Sequence, residues 1–268
     1  MLLAPLFLVV GCSASGPTTP TPGTSGSGTP TAAPGASPAP SGGPATPSEA
    51  LARTADTGRP WVVVVLGDST GTREGNWVEL VVQAWGAQSG RPVTYREWSV
   101  DREPDSYLPV RRLGEGDGAP IVVWNGSAAA QAADYSVRVF GDLVPPGAED
   151  ADLVLVSHGH NQLPGTLVPD GTALLDLVAE TSPAAAVVVL TQNPEAAGGP
   201  NAAGQAAEVQ AFAGSAVDHG ATVVDVRRAF EDVGDYTVLL DDLGVHPTRD
   251  GARLWADAVL DALGPADR

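Results

Sequence analysis

Five short Val-rich runs punctuate this chain after residue 60, at residues 61–66, 121–124, 153–156, 186–190 and 222–226. They have the length of strands and are closed off by nearby Gly, Pro or Asn, the pattern of strands buried on both faces of a parallel sheet. Between them lie segments with helical spacing, such as Trp77, Leu80, Val81 and Ala84, and later Leu254, Trp255, Ala258 and Val259. Strands alternating with helices predict a three-layer α/β/α sandwich around a parallel sheet. In such folds ligands bind beyond the carboxyl ends of the strands, so chemistry-bearing residues are expected just after the runs.

Before residue 60 the composition is different. Residues 13–58 are Ser, Thr, Pro, Gly and Ala with almost no large apolar side chain. Such a segment buries too little surface to offset chain entropy and is predicted to be a disordered tether. Residues 2–10 form an apolar run about half as long as a membrane span requires. It ends in Val9-Val10-Gly11-Cys12, which resembles the lipobox of bacterial lipoprotein signal peptides, although Met1 is followed by Leu2 and Leu3 rather than by basic residues. Cys12 is the one cysteine of the chain. The expected organisation is therefore a signal peptide over 1–12, lipidation at Cys12, a tether over 13–58 and one folded domain over 59–268. That arrangement would hold the domain on the extracytoplasmic face of a cell membrane.

The charge balance excludes several functions. Against 32 acidic residues stand 14 basic ones, all Arg, for a net charge of −18. Without Lys there is no Walker-type phosphate loop. An acidic surface repels a phosphate backbone, so no nucleic-acid partner is expected. A lone Cys permits neither an internal disulfide nor a Cys-rich metal site. His158 and His160 flank Gly159, but no third ligand lies at a typical spacing, so no metal is expected.

Three segments carry chemistry. Gly67-Asp68-Ser69-Thr70-Gly71 follows the first run directly. A Ser in a turn between strand and helix exposes its hydroxyl, and its own N–H can face a developing oxyanion. The pattern also reads as G-x-S-x-G, the α/β-hydrolase elbow. That elbow needs several strands upstream, and here about ten foldable residues precede Ser69. Ser157-His158-Gly159-His160-Asn161 follows the third run, where the Asn161 amide can be directed into a shared cleft. Asp241-Asp242-Leu243-Gly244-Val245-His246-Pro247-Thr248 precedes the last helical segment. The Pro holds His246 in extended backbone outside that helix, where an imidazole can serve as base for a Ser hydroxyl.

Together the three segments resemble the SGNH hydrolases, also called GDSL-like esterases, over roughly residues 61–263. Gly67-Asp68-Ser69 matches the first block of that family, Gly159-His160-Asn161 the third and His246-Pro247 the fifth. The resemblance implies a flavodoxin-like α/β/α sandwich and a cofactor-free serine esterase. In it Ser69 is the nucleophile and His246 the base, and the N–H groups of Ser69 and Ala130 with the Asn161 amide form the oxyanion hole. Ala130, in the segment from Asn125 to Asp134 that resembles the second block, stands where the family usually has Gly. The family's acid lies three residues before the His, a position held here by Leu243. Asp242 is expected to take that role through one extra residue in the turn, with Asp241 or a Ser–His dyad as alternatives. The expected substrate is an acyl ester, O-acetyl groups on carbohydrate first, handled by a monomer. A lipase or lysophospholipase, or a degenerate domain that only binds glycan, are the competing readings.

Overall fold

The first run becomes the middle of the sheet. In the computed structural model, which describes residues 45–56 and 58–264, Trp61–Gly67 forms β1 with every residue buried. Successive side chains of a strand point to opposite faces. Trp61, Val63 and Val65 enter one apolar cluster with Trp77, Trp85 and Trp255, while Val62, Val64 and Leu66 enter another with Leu174, Val178 and Phe212. A strand that is apolar on both faces requires helices on both sides.

The chain supplies them in alternation. After α1 (Pro47–Ala52) and β1 come α2 (Trp77–Ser89), β2 (Val93–Ser99), β3 (Ser106–Tyr107), β4 (Arg111–Gly114) and β5 (Ile121–Asn125). Then follow α3 (Ala133–Arg138), α4 (Phe140–Leu143), β6 (Leu153–Ser157), α5 (Leu167–Thr181) and β7 (Ala186–Leu190). The last elements are α6 (Ala202–Asp218), β8 (Thr222–Val224), α7 (Val226–Glu231) and α8 (Arg249–Leu263). The sheet order is β3-β2-β5-β1-β6-β7-β8, with β4 also against β2. The strands from β2 to β8 in that order run parallel, and β3 and β4 are antiparallel additions to β2. Residues of α1, α2, α7 and α8 fill the first cluster, and residues of α3, α5 and α6 fill the second. This is the expected three-layer α/β/α sandwich. β1 lies between β5 and β6, and helices on opposite faces follow β1 and β5. Such a reversal opens a crevice at the carboxyl ends of the strands, where Ser69 sits.

Three departures have local causes. β2 was not among the five runs because Arg96 and Glu97 interrupt its apolar alternation, and its burial is correspondingly partial. The last run ends as a strand at Val224, since the Asp225 side chain accepts the Arg228 N–H (3.1 Å) and caps α7. The third departure corrects the tether. Folded structure begins before residue 59, at α1, whose Thr46 and Glu49 form a capping box. Ala50 is buried and its carbonyl accepts the Trp61 indole N–H (2.9 Å). The buried Arg91 guanidinium then pins the segment by donating to the carbonyls of Thr54 and Asp56, both at 3.0 Å. The composition of this segment hides these contacts because backbone carbonyls, not large apolar side chains, do the anchoring. The expected signal peptide, Cys12 and the expected tether up to residue 44 lie outside the described residues.

Candidate active site

β1 ends at Gly67, and the chain turns through one turn of 3-10 helix, Ser69–Gly71. Asp68, fully buried, holds this turn from below. One of its carboxylate oxygens accepts the Thr70 N–H (3.0 Å) and hydroxyl (2.8 Å), and the other accepts the Gln192 side-chain N–H (2.7 Å). The flanking glycines are demanded by close approach. A Cβ on Gly67 would stand 2.9 Å from the Ser157 carbonyl oxygen, and one on Gly71 would run into the Ser127 hydroxyl. Ser69 is thus presented beyond the sheet on a packed turn.

His246 meets it from the loop before α8. The Ser69 Oγ lies 2.9 Å from His246 Nε2, and His246 Nδ1 lies 3.0 Å from an Asp241 carboxylate oxygen. The acid position therefore needs correction: among the described residues His246 pairs with Asp241, not with Asp242. The turn explains it. Leu240 and Pro247 pair as an antiparallel bridge, so Asp241 stands opposite His246 and the exposed Asp242 falls toward the tip. Gly244, with φ of 68°, reverses the chain there. The Asp241 N–H donates to the His246 carbonyl (2.8 Å), while the other Asp241 carboxylate oxygen accepts the N–H groups of Val245 and His246, both at 3.2 Å. Burial alone would raise the Asp241 carboxyl. The hydrogen bonds from the His246 ring and these two amides outweigh it and hold the carboxyl below its ordinary value.

The loops that follow the strands on either side of β1 carry the other two expected residues. The Asn161 amide nitrogen donates to the Gln131 carbonyl (3.1 Å), which ties the loop after β6 to the loop after β5. The latter loop is in turn fixed to the Ser69 turn by the Ala128 N–H on the Gly67 carbonyl (3.0 Å). Ala130 has φ of 58°, the left-handed conformation that favours Gly, in keeping with the residue type the resemblance implies at that point. Beside Ser69 and His246 opens a cleft of about 430 Å³, lined also by Thr72, Arg73, Asn76 and Arg249.

No family model and no curated protein matches the sequence. Solved structures do match. A lipase/acylhydrolase from Enterococcus faecalis superposes with a TM-score of 0.55 at 14% identity, over 76% of this chain and 95% of that one. An acetylxylan esterase from Geobacillus stearothermophilus gives 0.54 at 19% identity, over 78% and 96%. A two-domain esterase active on acetylated mannans gives 0.58 at 15% identity, over 82% of this chain and 54% of that one. The chain has the fold of these hydrolases.

Within that fold, a buried polar network links the loops of Asn161 and His246, and sequence reasoning missed it. His160 places Nδ1 3.1 Å from Glu195 and Nε2 3.3 Å from the Asn193 side-chain oxygen. Asn193 donates in turn to the Val245 carbonyl (2.9 Å), and Gln205 reaches both His160 and the Asn193 carbonyl. Hydrogen bonds from His160 and Asn201 hold the Glu195 carboxyl below its ordinary value against the opposing effect of burial. The signal was present in Thr191-Gln192-Asn193-Pro194-Glu195, a polar stretch directly after β7, at the sheet end where ligands bind in this fold class. His158 points elsewhere, with Nε2 3.1 Å from the Ser136 hydroxyl. Complete burial pushes its pKa down to about 4, against the opposing charges of Asp68 and Asp134. The two histidines thus face different partners, and among the described residues no cluster of three His, Cys, Asp or Glu could hold a metal.

Proposed function

We propose that the chain is an SGNH-type serine esterase that hydrolyses O-acetyl esters of carbohydrate through an acyl-enzyme. The observation that carries this reading is the continuous chain from Ser69 Oγ through His246 to Asp241, with contacts of 2.9 and 3.0 Å. In the proposed reaction His246 Nε2 takes the Ser69 proton as Oγ attacks the ester carbonyl. Asp241 fixes the tautomer and stabilises the imidazolium. The N–H groups of Ser69 and Ala130 and the second N–H of the Asn161 amide face the oxyanion, each such donor contributing about 10²–10³ in rate. His246 then protonates the departing alcohol, and water, deprotonated by the same ring, releases the acid.

The Thr, Arg and Asn side chains that line the cleft beside His246 favour a hydroxyl-rich alcohol. Two structural neighbours described as acting on acetylated polysaccharides support the same choice. A domain that only binds glycan would have no use for an aligned Ser–His–Asp chain. Anchoring at the extracytoplasmic face through a lipid on Cys12 belongs to the same proposal and is supported by the sequence around it. Among the described residues no helix is long and apolar enough to cross a membrane. Cys12→Ser should move the mature protein out of the membrane fraction, and an unchanged fractionation would contradict the anchor.

The decisive assay is fluorophosphonate labelling with acetate release from acetylated xylo- or manno-oligosaccharides. Stoichiometric labelling at Ser69 together with acetate release is expected. Absence of both would overturn the reading.

A further inference from the structure

Two arginines line the cleft beside Ser69 and His246, and both are held there against local preference. Arg73 has φ of 72°, a left-handed conformation that side-chain-bearing residues avoid. Arg249 is the first residue of α8, where the positive end of the helix dipole disfavours a cation. The neighbouring Asp250 does not relieve it, because that carboxylate pairs with Arg253 at 2.9 Å. Most other arginines are engaged. Arg53, Arg59, Arg111, Arg138, Arg227 and Arg228 all pair with carboxylates, whereas among the described residues neither Arg73 nor Arg249 forms an ion pair. The cleft's one acidic side chain is the exposed Glu74. In a chain of net charge −18 the cleft lining thus carries two arginines against one carboxylate, while Asp68, Glu97 and Asp241 nearby are engaged with Thr70, the Arg73 backbone and His246.

The Arg73 backbone is tied down, its N–H donating to Glu97 (3.3 Å) and its carbonyl accepting from the Asn76 side chain (2.7 Å), but among the described residues its guanidinium has no such partner. Residues that break a local rule concentrate at functional sites. We propose that Arg73 and Arg249 form an anion-binding subsite, so that the preferred substrate is an acyl ester of an acidic carbohydrate. This rests on the esterase reading and deepens it. The side of the ester is set by His246, which lines the same cleft and must face the departing alcohol oxygen to protonate it. The anion therefore sits on the alcohol part, not on the acyl part. A guanidinium fork matches a carboxylate or a phosphate equally well, so the shared chemistry is an anionic group on the sugar.

The test compares kcat/KM for three acetylated substrates: a uronate oligosaccharide, a sugar phosphate and a neutral xylo-oligosaccharide. Each is measured with the full chain, with Arg73→Gln, with Arg249→Gln and with the double variant. At low salt the better anionic ester should exceed the neutral one at least about tenfold, and the advantage should shrink as salt screens it. The anionic-to-neutral ratio should fall about tenfold in the double variant, through KM more than kcat. Whichever anion shows the larger ratio identifies the natural group. Arg73→Gly adds a readout that a structural arginine would not give, since Gly adopts this backbone without strain. It should raise the melting temperature while lowering the ratio. A ratio near one in the parental protein, or one that survives in the double variant, overturns the subsite. Should no ester be hydrolysed, the esterase reading fails instead. Calorimetric titration with the uronate oligosaccharide and the sugar phosphate then decides the subsite. Binding of either that is lost in the double variant upholds it, and no binding, or binding that persists, removes it.

Discussion

Two histidine–carboxylate pairs of nearly equal geometry stand in this molecule. His246 Nδ1 lies 3.0 Å from Asp241, and His160 Nδ1 lies 3.1 Å from Glu195. Their surroundings separate them. The side chains of His160 and Glu195 are 1% and 0% exposed, those of His246 and Asp241 18% and 27%. The second ring nitrogen of His160 faces the Asn193 and Gln205 amides, whereas that of His246 faces the Ser69 hydroxyl at the edge of a cleft. A carboxylate orients an imidazole in either place. Whether that orientation serves catalysis or folding depends on what the far nitrogen meets and on whether substrate can reach it. By this criterion the proposed reaction uses His246, and His160 belongs to the frame that links the loops of Asn161 and His246.

The comparison breaks most sharply at the nucleophile. Ser69→Ala should abolish acetate release and fluorophosphonate labelling while leaving the circular dichroism spectrum and melting temperature near parental values. Labelling that persisted at another serine would move the chemistry away from His246. Next comes the acid. Asp241→Asn should lower kcat by about 10⁴, since an amide holds the imidazole in the wrong tautomer. Asp242→Asn, at the exposed tip of the turn, should stay near the parental rate. Equal small effects would mean that His246 works without a carboxylate.

Glu195→Gln probes the other pair and should show the opposite profile. One oxygen of Glu195 faces His160 and the other accepts the Asn201 N–H at 2.9 Å, so an amide nitrogen placed at either point disrupts a buried hydrogen bond. The expected cost is about 2 kcal/mol of stability, read as a lower denaturation midpoint. The kcat of the folded fraction should remain within about tenfold of parental, against the roughly 10⁴-fold loss at Asp241. A kcat loss as deep as that of Asp241→Asn would show that the buried pair takes part in the reaction.

How much of this was legible in the sequence follows the same division. The central strands β1, β5, β6 and β7 were readable because both of their faces are apolar, which leaves an unbroken Val-rich run. β2, with one antiparallel flank and a half-exposed face, mixes Arg96 and Glu97 into its alternation and loses that signal. Ser69 and His246 could be named because each sits in a turn whose Gly or Pro is visible in the sequence. Asp241 was misplaced by one residue because the choice between neighbouring acids depends on the register of a turn closed by the Leu240–Pro247 bridge, a long-range pairing that no local pattern encodes. The His160 network was hidden for a related reason. Its members come from the loop after β6, the loop after β7 and α6, and only the sheet order brings them together.

His158 supplies a third environment, a buried histidine that meets the Ser136 hydroxyl and, among the described residues, no hydrogen-bonded carboxylate, and it yields the smallest of the expected effects. Its folded pKa is pushed down to about 4 by burial. In the unfolded chain an ordinary histidine titrates near 6.5. Between those values the unfolded state binds the proton and the folded state does not, so stability falls as pH is lowered through that window. From pH 7 to 5.5 the loss amounts to about 1 kcal/mol. Asp241 and Glu195 do not add to it. Their carboxyls are held below the ordinary range, so both stay ionised there, and their contributions disappear only as the pH falls through their lowered folded values. His158→Gln keeps a polar group beside the Ser136 hydroxyl but removes the titration. Unfolding free energies from urea titrations at pH 7 and 5.5 should therefore lie closer together in the variant, by about 1 kcal/mol, than in the parental protein. If both proteins lose the same stability across this range, the buried ring is taking up its proton in the folded state. The distinction between a histidine kept neutral by burial and one governed by a carboxylate would then fail.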